Sequence, residues 1–450
     1  MPLCIGGSFI LGEENLKLTK ILARTPVLIA MVVLYLVGLT APSLAQDQQD
    51  LFNLSANGGI IDREPWPVVP HTGMRLWDTG TSWREINISE GVYDWSSLDL
   101  WLAATKANHN DVLYTFGLVP QWASSKPNDG SCSPSPGACD PPKDVNPDGS
   151  GSDQLWKDFV TALVQHSQNS ATGHIEFWEM WNEPMNPIFW NGTYAQLLRM
   201  ISDAYAIIKG ADPQAVIVSP AFAWESKAAL NWMGNYFAAG GAQYAEIIAV
   251  HGYVFDPYGK YGPPENLISY YSEFRAVLRQ YGQASKPIWD TEANWGSKDH
   301  FTNADLQAAW IARFYTLHAF NHIQRLYWFL YNGGLIGGLW ERNAIDPRKP
   351  GTLLKPGIAY EQVGHWLLGA TTGVCSSDHT IWTCGLTRAG GYQGQIVWDT
   401  AESCSQGKCK TTDYTVGSEF VNYRNLEGQK VSIGNGVVPI GAKPILLENQ

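Results

Sequence analysis

The chain is predicted to be an α/β protein, a (β/α)8 barrel followed by a small C-terminal β-sandwich. From about residue 73 to residue 370, short runs of Val, Ile, Leu and Tyr alternate with longer stretches of helical period, the signature of repeated βα units around a parallel sheet. After about residue 372 the pattern changes to short alternating segments separated by Gly and Asn, as in a compact antiparallel module. The 450 residues, 45% hydrophobic and 16% charged, give enough apolar material for one barrel of roughly 250 to 350 residues plus a small accessory module.

The first strand is placed near Leu51 to Gly59, followed not by a helix but by a connection rich in proline through Pro65, Pro67 and Pro70. The next seven are Gly73 to Trp77, Asp111 to Gly117, Ile175 to Trp181, Ala215 to Ser219, Ile247 to Tyr253, Pro287 to Thr291 and Arg325 to Leu330. Helices are expected at Ser97 to Asn108, Gln154 to Gln168, Thr193 to Lys209, Ser226 to Ala238, Leu267 to Tyr281 and Ala304 to His322, with Thr193 and Asn303 as caps. The stretch Lys126 to Ser152, crowded with Pro, Gly, Ser, Asp and Asn, reads as a long loop after the third strand, on the face where barrel active sites sit. The segment 372–450, with Gly394 to Trp398, Tyr414 to Phe420 and Pro444 to Leu447 as strands, reads as a sandwich that packs on the barrel or helps bind glycans. The barrel is assigned to 46–371.

Lys17, Lys20 and Arg24 precede the apolar run Val27 to Leu39, and small residues end at Ser43-Leu44-Ala45, the layout of a signal peptide over 1–45. A retained membrane anchor is the alternative, although a run of about 13 residues is short of the roughly 20 that span a bilayer. Export places the protein in a secreted, periplasmic or extracellular setting. Six cysteines follow the segment, and their short separations favour Cys132 with Cys139, Cys375 with Cys384 and Cys404 with Cys409. With 1–45 removed the formal charge goes from -12 to -13, as Lys17, Lys20, Arg24, Glu13 and Glu14 leave. Such an acidic surface repels nucleic acid and anionic membranes, so neither is an expected partner. The 20 Trp and 20 Tyr fit sugar recognition, because flat aromatic faces stack on sugar rings, although core packing claims most of them.

The fourth strand ends in Glu179-Met180-Trp181-Asn182-Glu183-Pro184, delivering Asn182 and Glu183 at the catalytic end of a barrel. Splitting a glycosidic bond needs one acid to protonate the leaving oxygen and a second carboxylate at the anomeric carbon. The seventh strand supplies it in Trp289-Asp290-Thr291-Glu292. Strands four and seven face each other across the ring, so the two carboxylates can lie at the roughly 5 to 5.5 Å of a retaining mechanism. That chemistry asks for a raised pKa at Glu183 and a lowered one at Glu292. Glu179 and Asp290 are expected to be structural partners. No His pair sits at metal-ligand spacing and no glycine loop for phosphate is present, so neither cofactor nor metal is expected.

The motifs Trp181-Asn182-Glu183-Pro184, Thr291-Glu292 and Phe189-Trp190-Asn191-Gly192-Thr193, the last ahead of a helix with Ala206-Ile207-Ile208-Lys209, resemble clan A glycoside hydrolases, TIM-barrel enzymes, and most closely family 39. The resemblance runs from about Arg75 to Leu368, with the second Glu 109 residues after the first. It implies that Glu183 is the acid/base and Glu292 the nucleophile. It further implies that Arg75 keeps Glu292 ionised, that Asn182 bonds the sugar 2-hydroxyl and that Tyr253 bonds the nucleophile. His251 either fills that last role in place of Tyr253 or lines the subsite, and Trp328 floors the subsite that holds the non-reducing sugar ring. Two departures stand out: the missing helix after the first strand, and Tyr327-Trp328-Phe329 where Trp-Thr-Phe is usual. Trp83, Trp122 and Trp190 are either rim platforms or packed residues.

These features imply a retaining β-glycosidase acting on a plant or microbial polysaccharide or oligosaccharide, in exo or endo mode. The alternative is an inactive barrel that binds carbohydrate at the cell surface, against which the presence of Glu183, Glu292 and Arg75 counts.

Overall fold

The computed structural model describes residues 48–450 apart from 57–60, 62–63, 225, 255–261, 298, 300, 334–335 and 406. The predicted leader, 1–45, lies outside the described residues. Among those residues no helix is long and apolar enough to cross a membrane.

Eight parallel strands form the barrel: β1 (Phe52–Ser55), β2 (Gly73–Leu76), β3 (Asp111–Thr115), β4 (Phe177–Glu179), β5 (Val216–Val218), β6 (Ile248–His251), β7 (Ile288–Ala293) and β8 (Arg325–Trp328). They run in the order β5-β4-β3-β2-β1-β8-β7-β6. The parallel bridge Val218 to Ile247 and the short strand Phe222–Ala223, paired with Val250 and His251, close the ring. Side chains alternate across this wall as the pleat requires. Leu113, Val218, Ile247, Ala249, Trp289 and Tyr327 fill the barrel, whereas Met74, Val112, Trp178, Ile248 and Leu326 face the helices.

The helices lie where their periodicity places them: α1 (Ser96–Ala107), α2 (Gln154–Asn169), α3 (Tyr194–Ala211), α4 (Lys227–Ala238), α5 (Leu267–Gln280) and α6 (Ala304–Phe320). Thr193 accepts the Gln196 N–H in a reciprocal capping box, and Asn303 accepts the N–H groups of Asp305 and Leu306. A further helix, α7 (Lys355–Leu367), was hidden in the sequence by Pro356, Gly357 and Gly364. Proline in a first turn removes only an N–H that has no helical partner, and Gly357 is required because a Cβ there would lie 2.4 Å from the Leu339 carbonyl oxygen. Between β1 and β2, residues 64–72 contain no helix, but Ile61 is helical, against the expectation of an irregular connection alone.

The C-terminal antiparallel strands are β9 (Thr371–Asp378), β10 (Ile381–Arg388), β11 (Tyr392–Asp399), β12 (Thr411–Thr415), β13 (Asn422–Arg424), β14 (Lys430–Ser432), β15 (Val437–Gly441) and β16 (Ile445–Glu448). The main sheet runs β9-β10-β11-β16-β13-β14, and β12 pairs with β15. Val397, Val416, Val438, Ile440, Ile445 and Leu447 pack between them as the sandwich core. The main sheet's other face contributes Leu386, Ile396, Trp398 and Leu446 to the same core cluster as the barrel. The Trp398 indole N–H also donates to Glu265 Oε1 at 2.7 Å, and Lys443 Nζ pairs with Asp305 at 2.7 Å. Disulfides join Cys132–Cys139, Cys375–Cys384 and Cys404–Cys409.

Candidate active site

Arg75 points from β2 into the upper barrel and is wholly buried. Its Nε donates to Glu179 Oε2 at 2.9 Å, one terminal nitrogen to Glu292 Oε2 at 2.7 Å and the other to Asn182 Oδ1 at 2.8 Å. Burial opposes its charge, but Glu179 and Glu292 outweigh burial and raise its pKa. Glu179, also wholly buried, accepts a second hydrogen bond from Thr115 Oγ1 at 2.7 Å, the structural pairing expected of it. With Asn182 Oδ1 taken by Arg75, the amide N–H groups are left as its donors for a hydroxyl.

Glu292 reaches the barrel interior because β7 breaks its alternation. Trp289 fills the barrel, and Asp290 turns outward to meet His318 Nε2 of α6 at 2.8 Å. Strict alternation would put Glu292 on the Asp290 side, but the register with β6 and β8 shifts after Asp290. The bulge re-aims Glu292 inward. Asp290 also accepts the Gly252 N–H at 2.9 Å and thereby fixes the turn beyond β6. No other residue fits at Gly252, where a Cβ would lie 1.9 Å from Asp290 Oδ2.

That turn carries His251 and Tyr253. Tyr253 donates its hydroxyl to Glu292 Oε1 at 2.9 Å. The wholly buried His251 contacts Glu183 Oε1 through Nδ1 at 2.7 Å, and its Nε2 lies 3.4 Å from Arg75 and 3.9 Å from Glu292. Of the two roles left open for His251, the geometry gives it a third, as partner of Glu183. Glu183 itself has φ of 38°, a left-handed conformation disfavoured for a residue with a Cβ. An oxygen of Glu183, a nitrogen of His251 and an oxygen of Glu292 all lie within 4.8 Å of one another.

The electrostatics correct one expectation. Burial pushes the Glu183 carboxyl up, but the hydrogen bond and charge of His251, the Asn186 side chain and Arg75 together hold it below the ordinary value. Burial likewise lowers His251, yet the charge of Glu292 and the hydrogen bond and charge of Glu183 raise it, against Arg75. In this state the pair favours a proton on the imidazole, not the raised carboxyl pKa expected at Glu183.

The placement of Trp328 is a second correction. It is wholly buried on the helix side of β8, against Trp295, Trp310, Phe314 and Tyr315, and so floors no subsite. Tyr327 points into the barrel, so alternation carries the next side chain, Phe329, inward at the mouth, where it packs with Trp77, Leu118 and Phe189. Asp78, on the rim beyond β2, was also missed; burial and then the charge of Glu292 push it up to about 6, with Arg75 opposing. Its signal was its place three residues beyond Arg75. Trp83 and Trp190 are packed in the core, and Trp122 is half-buried with Lys143 over its ring.

Two clusters among the described residues carry metal-ligating atoms. In one, Cys132 and Cys139 are joined by their disulfide. In the other, Glu183, His251 and Glu292, the Arg75 guanidinium already sits 2.7 Å from Glu292 and opposes a further cation. Neither donor set fits a resident metal.

Residues 156–345 match the family model described as the glycosyl hydrolase catalytic core. The chain is 24% identical over 253 residues to the beta-xylosidase of Geobacillus stearothermophilus, an alignment covering 51% of this chain and 48% of that protein. It thus spans about half the length of the curated relative it matches. Among solved structures it resembles a family 39 glycoside hydrolase from Bacteroides cellulosilyticus WH2, with TM-score 0.62 and 15% identity, covering 89% of this chain and 81% of that one. It also resembles a monomeric beta-xylosidase from Caulobacter crescentus CB15, with TM-score 0.59, 17% identity and coverage of 88% and 96%. A family 30 xylanase C from Talaromyces cellulolyticus follows with TM-score 0.54, 14% identity and coverage of 89% and 96%. The chain is therefore similar in sequence to glycosyl hydrolase catalytic cores, and it shares its fold with the clan A enzymes of families 39 and 30.

Proposed function

We propose that the protein is a secreted retaining β-glycosidase that hydrolyses O-glycosidic bonds of a plant or microbial polysaccharide or oligosaccharide by double displacement. The observation that carries this is the pair of carboxylates at the barrel mouth, with oxygens of Glu183 and Glu292 within 4.8 Å of each other. That spacing supports a retaining mechanism, because the carboxyl groups of an inverting enzyme stand farther apart to hold a water between them.

Glu292, held by Arg75 and Tyr253, attacks the anomeric carbon while the leaving oxygen takes a proton from Glu183. The proton reaches Glu183 from His251 across their 2.7 Å contact as bound sugar displaces water. In the second step Glu183 takes a proton from water, whose oxygen attacks the anomeric carbon and releases Glu292. Asn182 bonds the 2-hydroxyl. Secretion is supported by the three disulfides and by the layout of residues 1–45.

The test is hydrolysis of aryl β-glycosides and of plant and bacterial polysaccharides, with Glu183→Gln and Glu292→Gln alongside. Both variants should lose activity, and azide should rescue Glu292→Gly to give a glycosyl azide of inverted configuration. A wild type that binds a glycan but turns over none would replace this proposal with a carbohydrate-binding role.

A further inference from the structure

Behind β7, Asp290 and His318 of α6 form a carboxyl–imidazole pair, and both side chains are 0% exposed. His318 Nδ1 lies 2.8 Å from the Phe314 carbonyl one turn back in α6, and Nε2 lies 2.8 Å from Asp290 Oδ2. A carbonyl oxygen can only accept, so Nδ1 carries a hydrogen, and the contact between Nε2 and Oδ2 encloses a second one. Asp290 Oδ1 accepts the Gly252 N–H at 2.9 Å, and the same N–H reaches the backbone carbonyl of Glu292 at 3.2 Å. One carboxyl group therefore joins α6, the bulge of β7 and the turn beyond β6. Its place in the wall is otherwise apolar: its register neighbours are Val250 on β6 and Leu326 on β8, both buried in the main core. A carboxyl group survives there only with donors at both oxygens.

We propose that His318 is a positioning residue for the hydrolysis: by holding Asp290 against α6 it fixes both the bulge that aims Glu292 inward and the turn that carries His251 and Tyr253. This rests on the reading of Glu183 and Glu292 as the reacting pair. Without the ring, Asp290 keeps the Gly252 N–H alone, and β7 relieves the buried oxygen by shifting past Asp290. Gly252 follows any such shift, because it sits so close that a Cβ would lie 1.9 Å from Asp290 Oδ2. The residues on either side of Gly252 then lose their settings, Tyr253 at 2.9 Å from Glu292 Oε1 and His251 at 2.7 Å from Glu183 Oε1.

Helix α6 is a firm support for this role. Every residue from Ala308 to Phe320 is buried, and the His318 ring meets Tyr271 edge-on at 5.6 Å and Phe314 at 4.2 Å. Arg313 lies 3.2 Å from Glu265 Oε1, the oxygen that also takes the Trp398 indole N–H. Lys443 pairs with Asp305 in the first turn, and the capping Asn303 donates to the Cys404 carbonyl at 3.0 Å. The C-terminal module thus grips the helix on which His318 stands. A site braced by packed elements holds its geometry more closely than one left to loops.

The experiment compares two replacements in the full chain. His318→Gln puts an amide N–H where Nε2 donates, whereas His318→Phe keeps a ring against Tyr271 and Phe314 and offers Asp290 nothing. Positioning through Asp290 leaves kcat of His318→Gln within about threefold of wild type and lowers that of His318→Phe by about a hundredfold, the cost of a misplacement of about 1 Å, with KM little changed. A packing role gives the reverse order. The ring signals of His251 in protein carrying isotope-labelled histidine provide a readout free of turnover: they should shift in His318→Phe and stay in place in His318→Gln. If the wild type cleaves no glycoside yet these signals behave so, the link through Asp290 is upheld and only the assigned reaction falls. Should His318→Phe fail to fold, Asp290→Ala cuts the same link without stranding a buried carboxyl group and should show the same loss of kcat. Wild-type kcat in His318→Phe or in Asp290→Ala, or His318→Gln as impaired as His318→Phe, overturns the proposal.

Discussion

Replacing Arg75 by methionine keeps most of the side-chain volume and removes the charge at the centre of the site. Three acceptors lose a hydrogen bond from the guanidinium at once: Glu179, Glu292 and Asn182, at 2.9, 2.7 and 2.8 Å. Removing one partner of a buried ion pair costs about 3–5 kcal/mol, because the remaining charge stays buried and uncompensated. Here two carboxylates share the lost cation, which places the expected loss near the upper end, about 5 kcal/mol. Protonation of one of them offsets part of this and sets the lower bound at about 3 kcal/mol. If the same loss of about 3 kcal/mol falls on an ionised Glu292, kcat drops by about a hundredfold, since 1.36 kcal/mol is a factor of ten.

Stability and activity separate in a second variant. Arg75→Met with Glu179→Leu also removes the carboxylate that Arg75 neutralises below the site, so about 2 kcal/mol or more of stability should return. Turnover should stay low, because Glu292 still lacks its cation. Urea denaturation followed by tryptophan fluorescence reads the first quantity, and hydrolysis of whichever aryl glycoside the wild type cleaves reads the second. An Arg75→Met variant within about 1 kcal/mol of wild type, or a double variant within about tenfold of wild-type kcat, would refute the view of Arg75 as the electrostatic centre.

Three further outcomes are expected. His251 is raised above its ordinary 6.5 and Glu183 lowered below its ordinary 4.5, so their pairing stabilises the fold fully between those values. That contribution fades as pH rises through the raised His251 value or falls through the lowered Glu183 value, so the stability gap between wild type and His251→Asn should be widest in that window; a gap that keeps widening above about pH 8 contradicts the pairing. Gly252→Ala places a Cβ 1.9 Å from Asp290 Oδ2 and should cost about 2–4 kcal/mol while displacing His251 and Tyr253, so a variant with wild-type melting and kcat would show the turn to be pliable. Phe329→Ala should raise KM about tenfold with little loss of stability, whereas Trp328→Phe should lower the melting temperature and leave KM unchanged; the reverse pattern would restore Trp328 to the subsite.

The barrel was legible because its signals are local and repeated. Each strand is a short apolar run, each helix a longer periodic one, and Thr193 and Asn303 cap as their positions announce. Helix α7 was not legible, since Pro356, Gly357 and Gly364 look like turn residues until the close approach of the Leu339 carbonyl gives Gly357 a reason. Glu183 and Glu292 could be found because each stands at a strand end within a motif. The Glu183–His251 contact could not, because it joins residues 68 apart and depends on the direction in which a turn projects a ring.

Side-chain direction is the information that strand prediction lacks, and β7 and β8 show both sides of that gap. A strand end locates a residue along the barrel axis, but only alternation decides whether it faces sugar or helix. On β8 the alternation is unbroken from Tyr327, which faces in, to Trp328, which faces α6. A motif aligned one residue out of step therefore names the wrong aromatic. On β7 the same rule applied strictly would have turned Glu292 away from the mouth, alongside Asp290. The shift in register after Asp290 reverses that, and the resemblance of Thr291-Glu292 to a clan A strand end had absorbed the bulge without revealing it. A bulge beside the proposed nucleophile is therefore part of the candidate site: it lets Asp290 and Glu292 on one strand serve opposite faces, Asp290 bracing the turn that carries His251 and Tyr253 while Glu292 meets them inside the barrel.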